Sequence, residues 1–321
     1  MKFNLSDPLA GLVPPNTKIC DSHVHIWNAD AFNELEKWGQ LYGVKRFMGI
    51  AQPEVKKTLE QNGKAAEIIF AYYLPMQAFA EKKPETIIEA VDEAHSLNYS
   101  LTKTWFGPRQ IDFFNTEKLV SISDPIFEPV FTRIEEYGLP LDIHVADPDI
   151  WYSTKYQDSE RYLTKTQAIN DFYTVLERHP SLKVISVHFG SLPEINNLLQ
   201  LEDLFQRFPN FYVDTASTKW IIRELGKHPQ KTRDFIIRYQ DRILFATDLS
   251  VGWGDHPEDY IPTRYWAQRL FWETNVQKVE LPFSDEDNPN PPTFINGLNL
   301  PQSVLERFYW QNSQDFFNLS Q

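Results

Sequence analysis

Residues 21–25, Asp-Ser-His-Val-His, carry the most informative pattern in this chain of 321 residues. The two histidines lie two positions apart, directly after the apolar pair Ile19 and Cys20. In a β-strand, residues i and i+2 project from the same face, so His23 and His25 can both reach one metal ion. Neutral imidazole is the commonest metal-binding side chain in proteins. Taken alone, the motif indicates either a chelating pair on a strand or two unrelated histidines beside a loop.

The overall composition narrows the class of protein. A net charge of −13 argues against binding to nucleic acid or to an anionic membrane surface. The single cysteine, Cys20, excludes an intrachain disulfide, and we expect it to be a buried, reduced thiol. The first residues lack the apolar core of a signal peptide, and no apolar run is long enough to span a bilayer. We therefore expect a cytoplasmic protein that acts on a small-molecule substrate.

Short apolar runs alternate with longer amphipathic ones along the chain, and the sequence shows no internal repeat. One helical pattern follows Pro84, which suits a first helical turn, and another ends at Gly138, a typical C-cap. The near-continuous apolar runs are typical of strands covered on both faces. They predict eight strands: Lys18–His25, Arg46–Ala51, Ile68–Leu74, Leu101–Phe106, Leu139–Val145, Lys183–His188, Phe211–Thr215 and Arg242–Asp248.

Eight strands that alternate with helices predict an α/β fold, a single (β/α)8 TIM barrel. The competing fold, a doubly wound open sheet, usually has a Gly-rich first turn, G-x-G-x-x-G, which this sequence lacks. We expect one domain over residues 1–321, with residues 1–17 as an N-terminal extension. Residues 284–292 are rich in Asp, Asn and Pro and are interpreted as a surface loop.

Side chains that bind metals follow the predicted strands, where a barrel of this type carries its active site. His23 and His25 close the first strand, His144 the fifth, His188 the sixth and Asp248 the eighth. Singly, such a histidine is more often a hydrogen-bonded core residue, and such an aspartate is often a helix N-cap. Their coincidence at four strand ends favours a metal site. The other histidines are interpreted as solvated surface residues: His95, His179, His228 and His256.

This arrangement resembles the amidohydrolase superfamily, and most of all its amidohydrolase-2 branch. That branch includes aminocarboxymuconate-semialdehyde decarboxylase, resorcylate decarboxylases, lactonases and hydratases. The resemblance covers nearly the whole chain, and no single motif is specific without the others in this order. Its marks are the Asp-Ser-His-Val-His motif, His144, His-Phe-Gly at 188–190, the stretch 242–248 and Gly-Leu-Asn-Leu-Pro at 297–301.

The resemblance implies a set of site residues. His23, His25, His144 and Asp248 would be metal ligands, and His188 would be the catalytic or substrate-polarising histidine. Three imidazoles and one carboxylate suit one divalent metal, Zn²⁺ before Mn²⁺, Fe²⁺ or Co²⁺.

Lys103, in the predicted fourth strand, leaves two alternatives open. In binuclear amidohydrolases a lysine from this strand is carboxylated and bridges two metals. The alternative is a lysine paired with a carboxylate inside the barrel. Because the amidohydrolase-2 branch generally uses one metal, we favour one metal, with Lys103 as an anion contact.

The predicted activity is hydrolysis of a small organic ester, lactone or amide by a metal-activated water. Asp248 would accept or shuttle the proton of that water, and His188 would donate a hydrogen bond to the developing oxyanion. The alternative is a non-oxidative decarboxylase, a lyase that acts on a small aromatic or unsaturated carboxylic acid with the same residues.

Several residues in the loops after the strands are candidate substrate contacts. An arginine could hold a carboxylate bidentately, and indole rings could hold a flat or apolar group. Plain packing or solvent exposure explains these residues equally well. The resemblance also allows a homodimer, although no segment identifies an interface. The candidate contacts are Trp27, Lys103, Trp105, Arg109 and Trp253.

Overall fold

The computed structural model describes residues 1–13 and 17–319. The contacts divide the chain into two compact units. Unit 1 contains Met1–Ile69, Pro193–Leu198 and Asp214–Gln321, and unit 2 contains Phe70–Leu192 and Leu199–Val213. The single domain predicted from the sequence is not tested by this division and stays a prediction.

Every one of the eight predicted strands is present, and helices lie between successive strands along the chain. The fold is therefore the predicted α/β, TIM-barrel-like class. Two further features were not predicted, a short strand after Asp248 and a small hairpin. The strands are β1 (Ile19–Ile26), β2 (Val44–Ile50), β3 (Ile68–Tyr73), β4 (Leu101–Trp105), β5 (Leu141–His144), β6 (Val184–Ser186), β7 (Phe211–Asp214), β8 (Ile243–Leu244), β9 (Leu249–Val251), β10 (Val279–Glu280) and β11 (Phe294–Ile295).

The longer α-helices have eight or more residues, and shorter helical segments lie between some of them. The longer ones span Phe32–Leu41, Pro53–Gln61, Pro84–Ser96, Glu128–Glu136, Lys165–Arg178, Leu198–Arg207, Thr218–Leu225, Pro229–Arg238 and Tyr260–Glu273. The short ones span Ala65–Glu67, Met76–Ala80, Gln110–Phe114, Pro125–Phe127, Asp149–Thr154, Ser159–Tyr162, Val187–Gly190, Gln240–Arg242, Gln302–Glu306, Arg307–Gln311 and Asn312–Phe317. None of the helices in the described ranges is both long and apolar enough to cross a membrane.

Local sequence signals explain where the helices begin and end. Pro84 is the first residue of its helix, as predicted. The helix that starts at Lys165 has a capping box, in which Thr164 and Gln167 satisfy each other's backbone N–H groups. Gly138 follows the helix Glu128–Glu136 with a φ of +60°, the left-handed conformation that a C-cap glycine adopts without strain.

In unit 1, β1 is the central strand of a parallel set. It pairs with β2 on one side, where Ile19 faces Val44, and with β9 on the other, where His25 faces Ser250. β10 and β11 form a separate antiparallel pair. Large fully buried side chains, among them Trp266 and Trp272, form the core of this unit. Pairing on both edges holds β1 firmly, so the residues on its face have fixed positions.

Unit 2 contains β4, β5, β6 and most of β3 and β7, and these strands pair in parallel and in chain order. Lys103 of β4 lies opposite Asp142 of β5, and Trp105 lies opposite His144. The predicted apolar runs are buried, as expected for strands covered on both faces. Phe79, Phe127, Phe172 and Phe189 are fully buried in this unit.

The N-terminal residues and the predicted surface loop both form hydrogen bonds with other parts of unit 1. The backbone carbonyl of Pro8 accepts a hydrogen bond from Tyr42, and that of Ala10 accepts one from Trp266. Residues 284–292 contain neither helix nor strand. Asp285 within them is nevertheless buried and binds Arg223 with both carboxylate oxygens, at 2.7 and 2.8 Å.

One sequence-based interpretation is wrong. His179 was expected on the solvated surface, but it is only 3% exposed. Its Nδ1 lies 2.7 Å from Glu135, and its Nε2 lies 3.2 Å from Glu128. The His-Pro that ends the helix Lys165–Arg178 is therefore packed against the helix Glu128–Glu136, where the carboxylate of Glu135 accepts a hydrogen bond from Nδ1 of the ring.

Candidate metal centre

Three of the predicted ligands bring their donor atoms together in unit 1. Nε2 of His23 lies 3.3 Å from Nε2 of His25, and Oδ1 of Asp248 lies 3.5 Å from each of them. Ligand atoms about 2.0–2.2 Å from a tetrahedral ion are about 3.3–3.6 Å apart. The separations and the mixed nitrogen and oxygen donors therefore fit a divalent metal ion.

The orientation of His23 is set by Asp214, the last residue of β7. Oδ2 of Asp214 lies 3.1 Å from Nδ1 of His23, while Oδ1 accepts a hydrogen bond from the backbone N–H of Ala216. Both side chains are buried. Because an ionised carboxylate can only accept, Nδ1 of a neutral His23 donates, and Nε2 is the nitrogen that can bind an ion.

Asp248 lies in a tight turn rather than at the end of a strand. The predicted eighth strand reached Asp248, but β8 ends at Leu244 and β9 begins at Leu249. Asp248 has a φ of +62°, a left-handed conformation that a residue with a side chain adopts at a cost. The turn lets its carboxylate, which is 28% exposed, face the two histidines while one side remains open to solvent.

Asp21, the first residue of the motif, is completely buried beneath this turn. Its carboxylate accepts hydrogen bonds from the backbone N–H and the hydroxyl of Thr247 and from the hydroxyl of Tyr265. Burial raises the pKa of Asp21 to about 7, against the opposing effect of these hydrogen bonds. Burial likewise raises the pKa of Cys20 to about 11, as expected for an inert buried thiol.

Two of the candidate substrate contacts flank the cluster in unit 1. Trp27 stacks on His25, with ring centroids 5.7 Å apart and planes within 5°, and its Nε1 donates to the hydroxyl of Ser250. Trp253 lies 6.5 Å from Trp27 and is 69% exposed. Trp27 therefore borders the cluster, and Trp253 continues the exposed apolar surface beside Trp27.

In unit 2, His144 and His188 belong to a chain of hydrogen bonds. The hydroxyl of Tyr156 donates to Oδ2 of Asp147, at 2.9 Å. Oδ1 of Asp147 lies 3.0 Å from Nε2 of His144, and Nδ1 of His144 lies 2.9 Å from Nε2 of His188. Burial raises the pKa of Tyr156, with a contribution from the Asp147 charge, so its hydroxyl remains a donor.

This chain of hydrogen bonds determines which ring nitrogens of His144 and His188 carry the protons when both rings are neutral. Because Asp147 accepts, His144 donates from Nε2, and its Nδ1 then accepts from His188. Metal binding by His144, which the resemblance implies, would replace one of these contacts and stays a prediction.

His188 was predicted to close the sixth strand, but β6 ends two residues earlier, at Ser186. His188 and Phe189 have φ values of 56° and 59°, and Ser191 follows with 61°. Consecutive left-handed residues other than glycine are uncommon and concentrate at functional sites. His188 is therefore held in a strained turn immediately after the strand, with its side chain 5% exposed.

Lys103 lies within unit 2 as a buried ion pair. Its Nζ is 3.6 Å from Oδ1 of Asp142, and the two side chains are 3% and 0% exposed. This is the arrangement of the second alternative, a lysine paired with a barrel carboxylate. A carboxylated lysine would carry a negative charge beside Asp142, which disfavours the bridging role.

The two remaining candidates lie beside different neighbours in unit 2. The Trp105 ring stands edge-to-face with His144, with centroids 6.0 Å apart. A Cβ at Gly107 would approach Nε1 of Trp105 to 2.4 Å, so glycine is required there. Arg109 is exposed, and its guanidinium lies 5.3 Å from the ring centre of Phe113 and 5.7 Å from that of Trp151.

Sequence reasoning missed several residues that hold the predicted ones. Asp214 lies one position before the end of the predicted seventh strand, as His144 does in the fifth, so the strand-end criterion that selected His144 would also have selected it. Asp147 follows His144 by three residues and had no signal of its own. The contact of Asp21 with Tyr265 joins residues 244 positions apart, and no local pattern indicates it.

The comparisons with known proteins identify the family of this chain. A family model described as amidohydrolase matches residues 105–319, which is more than half of the chain. The fold and the matched residues define an enzyme of the amidohydrolase superfamily. The chain belongs to the amidohydrolase family. The matched part includes His144, His188 and Asp248, whereas His23 and His25 precede it.

Solved structures show the same fold at low sequence identity. A dihydroxybenzoic acid decarboxylase from Polaromonas sp. JS666, with bound manganese and the inhibitor 2-nitroresorcinol, is 14% identical with a TM-score of 0.51 and covers 95% of this chain and 98% of its own. A 5-carboxyvanillate decarboxylase from Sphingomonas paucimobilis is 12% identical, with a TM-score of 0.53 and coverage of 95% and 100%.

A probable 2-pyrone-4,6-dicarboxylic acid hydrolase from Acinetobacter baumannii, with citric acid bound, is 10% identical. Its TM-score is 0.54, and the match covers 94% of this chain and 100% of that one. No curated protein matches the chain. At these identities the structural likenesses establish the fold.

Proposed function

We propose that the protein is a metal-dependent hydrolase that cleaves a small organic ester, lactone or amide. The observation that carries the proposal is the convergence of His23, His25 and Asp248, whose donor atoms lie 3.3–3.5 Å apart. Three donor atoms this close together would repel one another through their lone pairs and negative charge unless a proton or a cation lay among them. Because the chain belongs to the amidohydrolase family, we propose that a metal cation lies among them.

The donor set supports one divalent ion. His23 and His25 would hold it through Nε2 and Asp248 through Oδ1, with His144 as the predicted fourth ligand. Zinc suits these donors best, and the manganese in the Polaromonas decarboxylase makes that ion the first alternative. When bound, such an ion would act as a Lewis acid and lower the pKa of water to about 7.

Asp248 is the residue proposed to take a proton from the attacking water. Its Oδ1 faces the histidines, and the partial exposure of its side chain gives the carboxylate access to solvent. Asp214 contributes by keeping the proton of His23 on Nδ1, away from the cluster. The left-handed turn holds the Asp248 carboxylate ready before substrate arrives.

His188 is proposed to donate a hydrogen bond from Nε2 to the substrate oxygen on which negative charge develops, in place of its contact with His144 in the free protein. Its strained backbone and the contact with His144 hold the ring in one orientation. A preorganised donor of this kind typically contributes about 10²–10³ to kcat. We also propose four substrate contacts: Lys103, Trp105, Arg109 and Trp253. A homodimer and a cytoplasmic location are further parts of the proposal.

A non-oxidative decarboxylase is the second candidate. The observation in its favour is Arg109, whose exposed guanidinium lies over the rings of Phe113 and Trp151. A guanidinium can bind a carboxylate bidentately, and adjacent aromatic rings suit a flat acid. Two of the structures described above are decarboxylases of aromatic acids, which share the fold with this chain.

The first experiment is to measure metal content and turnover together. We expect about one equivalent of divalent metal per chain, and turnover of members of a lactone, ester and amide panel. Replacement of His25 by asparagine should remove the metal, whereas His228→Asn, at an exposed helix N-cap, should retain it. Less than roughly a tenth of an equivalent in the wild-type protein would refute the metal site.

The second experiment separates the two reactions. Hydroxybenzoate-type acids are offered to the same preparation while carbon dioxide release is monitored. Carbon dioxide release with no hydrolysis of any panel member would replace the hydrolase by the lyase. Hydrolysis without carbon dioxide release would support the primary proposal.

A further inference from the structure

We propose that Asp21 is a positioning residue that fixes the turn from which Asp248 reaches the two histidines. The inference rests on the proposed function, because it takes Asp248 as a metal ligand. It assigns a role to the one ionisable residue of the Asp-Ser-His-Val-His motif that lies outside the cluster itself.

The contacts of Asp21 converge on the residue before Asp248. One carboxylate oxygen accepts the backbone N–H of Thr247 at 3.0 Å. The other accepts the hydroxyls of Thr247 at 2.6 Å and of Tyr265 at 2.8 Å. Asp21 and Tyr265 are both completely buried. A buried carboxylate without hydrogen bonds is energetically unfavourable. Breaking the hydrogen bonds from these donors to Asp21 would therefore destabilise the folded protein.

The turn itself is held at three successive residues. Thr247 is bound by Asp21, the backbone N–H of Asp248 donates to the carbonyl of His23 at 3.0 Å, and the N–H of Leu249 donates to the Thr247 hydroxyl at 3.3 Å. These contacts hold Asp248 in its left-handed conformation, with a φ of +62°. Strained backbone persists only where the surroundings enforce it, and Asp21 provides that enforcement.

Strand β1 therefore organises all three donors. It carries His23 and His25 on one face, and it anchors the Asp248 turn through the Asp21 side chain and the His23 carbonyl. The three donor atoms keep their mutual separations because they share this one strand as a frame. Loss of the anchor would let the Asp248 carboxylate move away from the histidines, and metal affinity would fall.

Thr247→Val tests the anchor, because it removes the hydroxyl but keeps the branched shape of the side chain. The matched control is Ser22→Ala, which removes a buried hydroxyl next to Asp21 that contacts Ser313 at 2.8 Å and Cys20. Both variants lose one buried hydroxyl of unit 1. Cobalt(II) is the probe, because its affinity is measured by chelator competition and its visible absorption reports the ligand arrangement.

We expect Thr247→Val to weaken cobalt binding about 10- to 100-fold and to change the absorption spectrum. Ser22→Ala should stay within about threefold of the wild type with an unchanged spectrum. Thermal unfolding of the metal-free variants should show comparable losses of Tm. The inference would be overturned if Thr247→Val bound cobalt with the affinity and spectrum of the wild type. It would also be overturned if Thr247→Val and Ser22→Ala lost cobalt affinity equally.

Tyr265→Phe keeps the test decisive if Thr247→Val does not fold. It removes the third donor to Asp21 without touching the turn, so we expect a smaller loss than the valine variant shows, about three- to tenfold. An unchanged cobalt spectrum and affinity in Tyr265→Phe would count against the inference. If the wild-type protein itself fails to bind cobalt, the proposed function is overturned first, and this inference with it.

Discussion

Replacing Asp214 with alanine removes the carboxylate that faces Nδ1 of His23. The two atoms are 3.1 Å apart, and both side chains are almost completely buried. In the wild-type protein this contact keeps the proton on Nδ1 and leaves Nε2 to the metal. In the alanine variant neither tautomer is preferred, and the ring gains freedom to rotate. We expect a weaker metal site with the fold retained.

The size of the loss follows from the energy of one charge-assisted hydrogen bond. A hydrogen bond to a charged group contributes about 1.5–3 kcal/mol. Since about 1.4 kcal/mol corresponds to a tenfold change in affinity, the expected loss is about 10- to 150-fold. This range overlaps the 10- to 100-fold losses that are typical when the outer partner of a metal-binding histidine is removed.

Asp214→Asn is the sharper variant because it keeps the shape and changes only the proton pattern. Oδ1 of residue 214 accepts the backbone N–H of Ala216, so the amide NH₂ of asparagine would face His23. An amide NH₂ can only donate, and it would draw the His23 proton to Nε2. That nitrogen is the one directed at His25 and Asp248. We therefore expect at least as large a loss as in Asp214→Ala.

Isothermal titration of the metal-free variants with zinc measures the effect. Asp285→Asn is the control, because Asp285 is a buried carboxylate of the same unit that binds Arg223 and Thr293. It should leave zinc affinity within about threefold of the wild type, even if Tm falls. Wild-type affinity in Asp214→Asn would refute the argument that Asp214 sets the His23 tautomer.

Three further predictions concern other residues. His188→Gln should lower kcat about 10²–10³-fold while the metal content stays unchanged, and loss of the metal instead would show that His188 acts structurally. Cys20, with its pKa raised to about 11, should be about a thousandth thiolate at pH 8, so a disulfide reagent should label it only after denaturation. Lys103→Met should lower the free energy of unfolding by about 3–5 kcal/mol, because it removes the cation of a buried ion pair, 3.6 Å from Asp142. It should not change the metal stoichiometry, and a drop from two equivalents to one would establish the bridging lysine instead.

The fold was predictable because hydrophobic periodicity is local. Each of the eight predicted strands was visible as an apolar run. Local residues such as Pro84 and Gly138 marked a helix start and a helix end within a few positions. The ends of β6 and β8 were misplaced by two and four residues, since His188 and Asp248 continue an apolar run into a strained turn. Apolar character alone does not reveal where the backbone leaves the sheet.

In the candidate site, too, a local sequence pattern predicts some residues, whereas others are identified only by long-range contacts. The predicted donors lie at or just after strand ends, and a sequence pattern locates them. The groups that orient the donors act across long separations: 191 positions between His23 and Asp214, and 226 between Asp21 and Thr247. No sequence pattern links such pairs, because a buried carboxylate at many other positions could orient the same residue in the folded protein. The donor set therefore follows from the fold class, whereas the proton positions and the angle of Asp248 follow from contacts that only the folded chain creates.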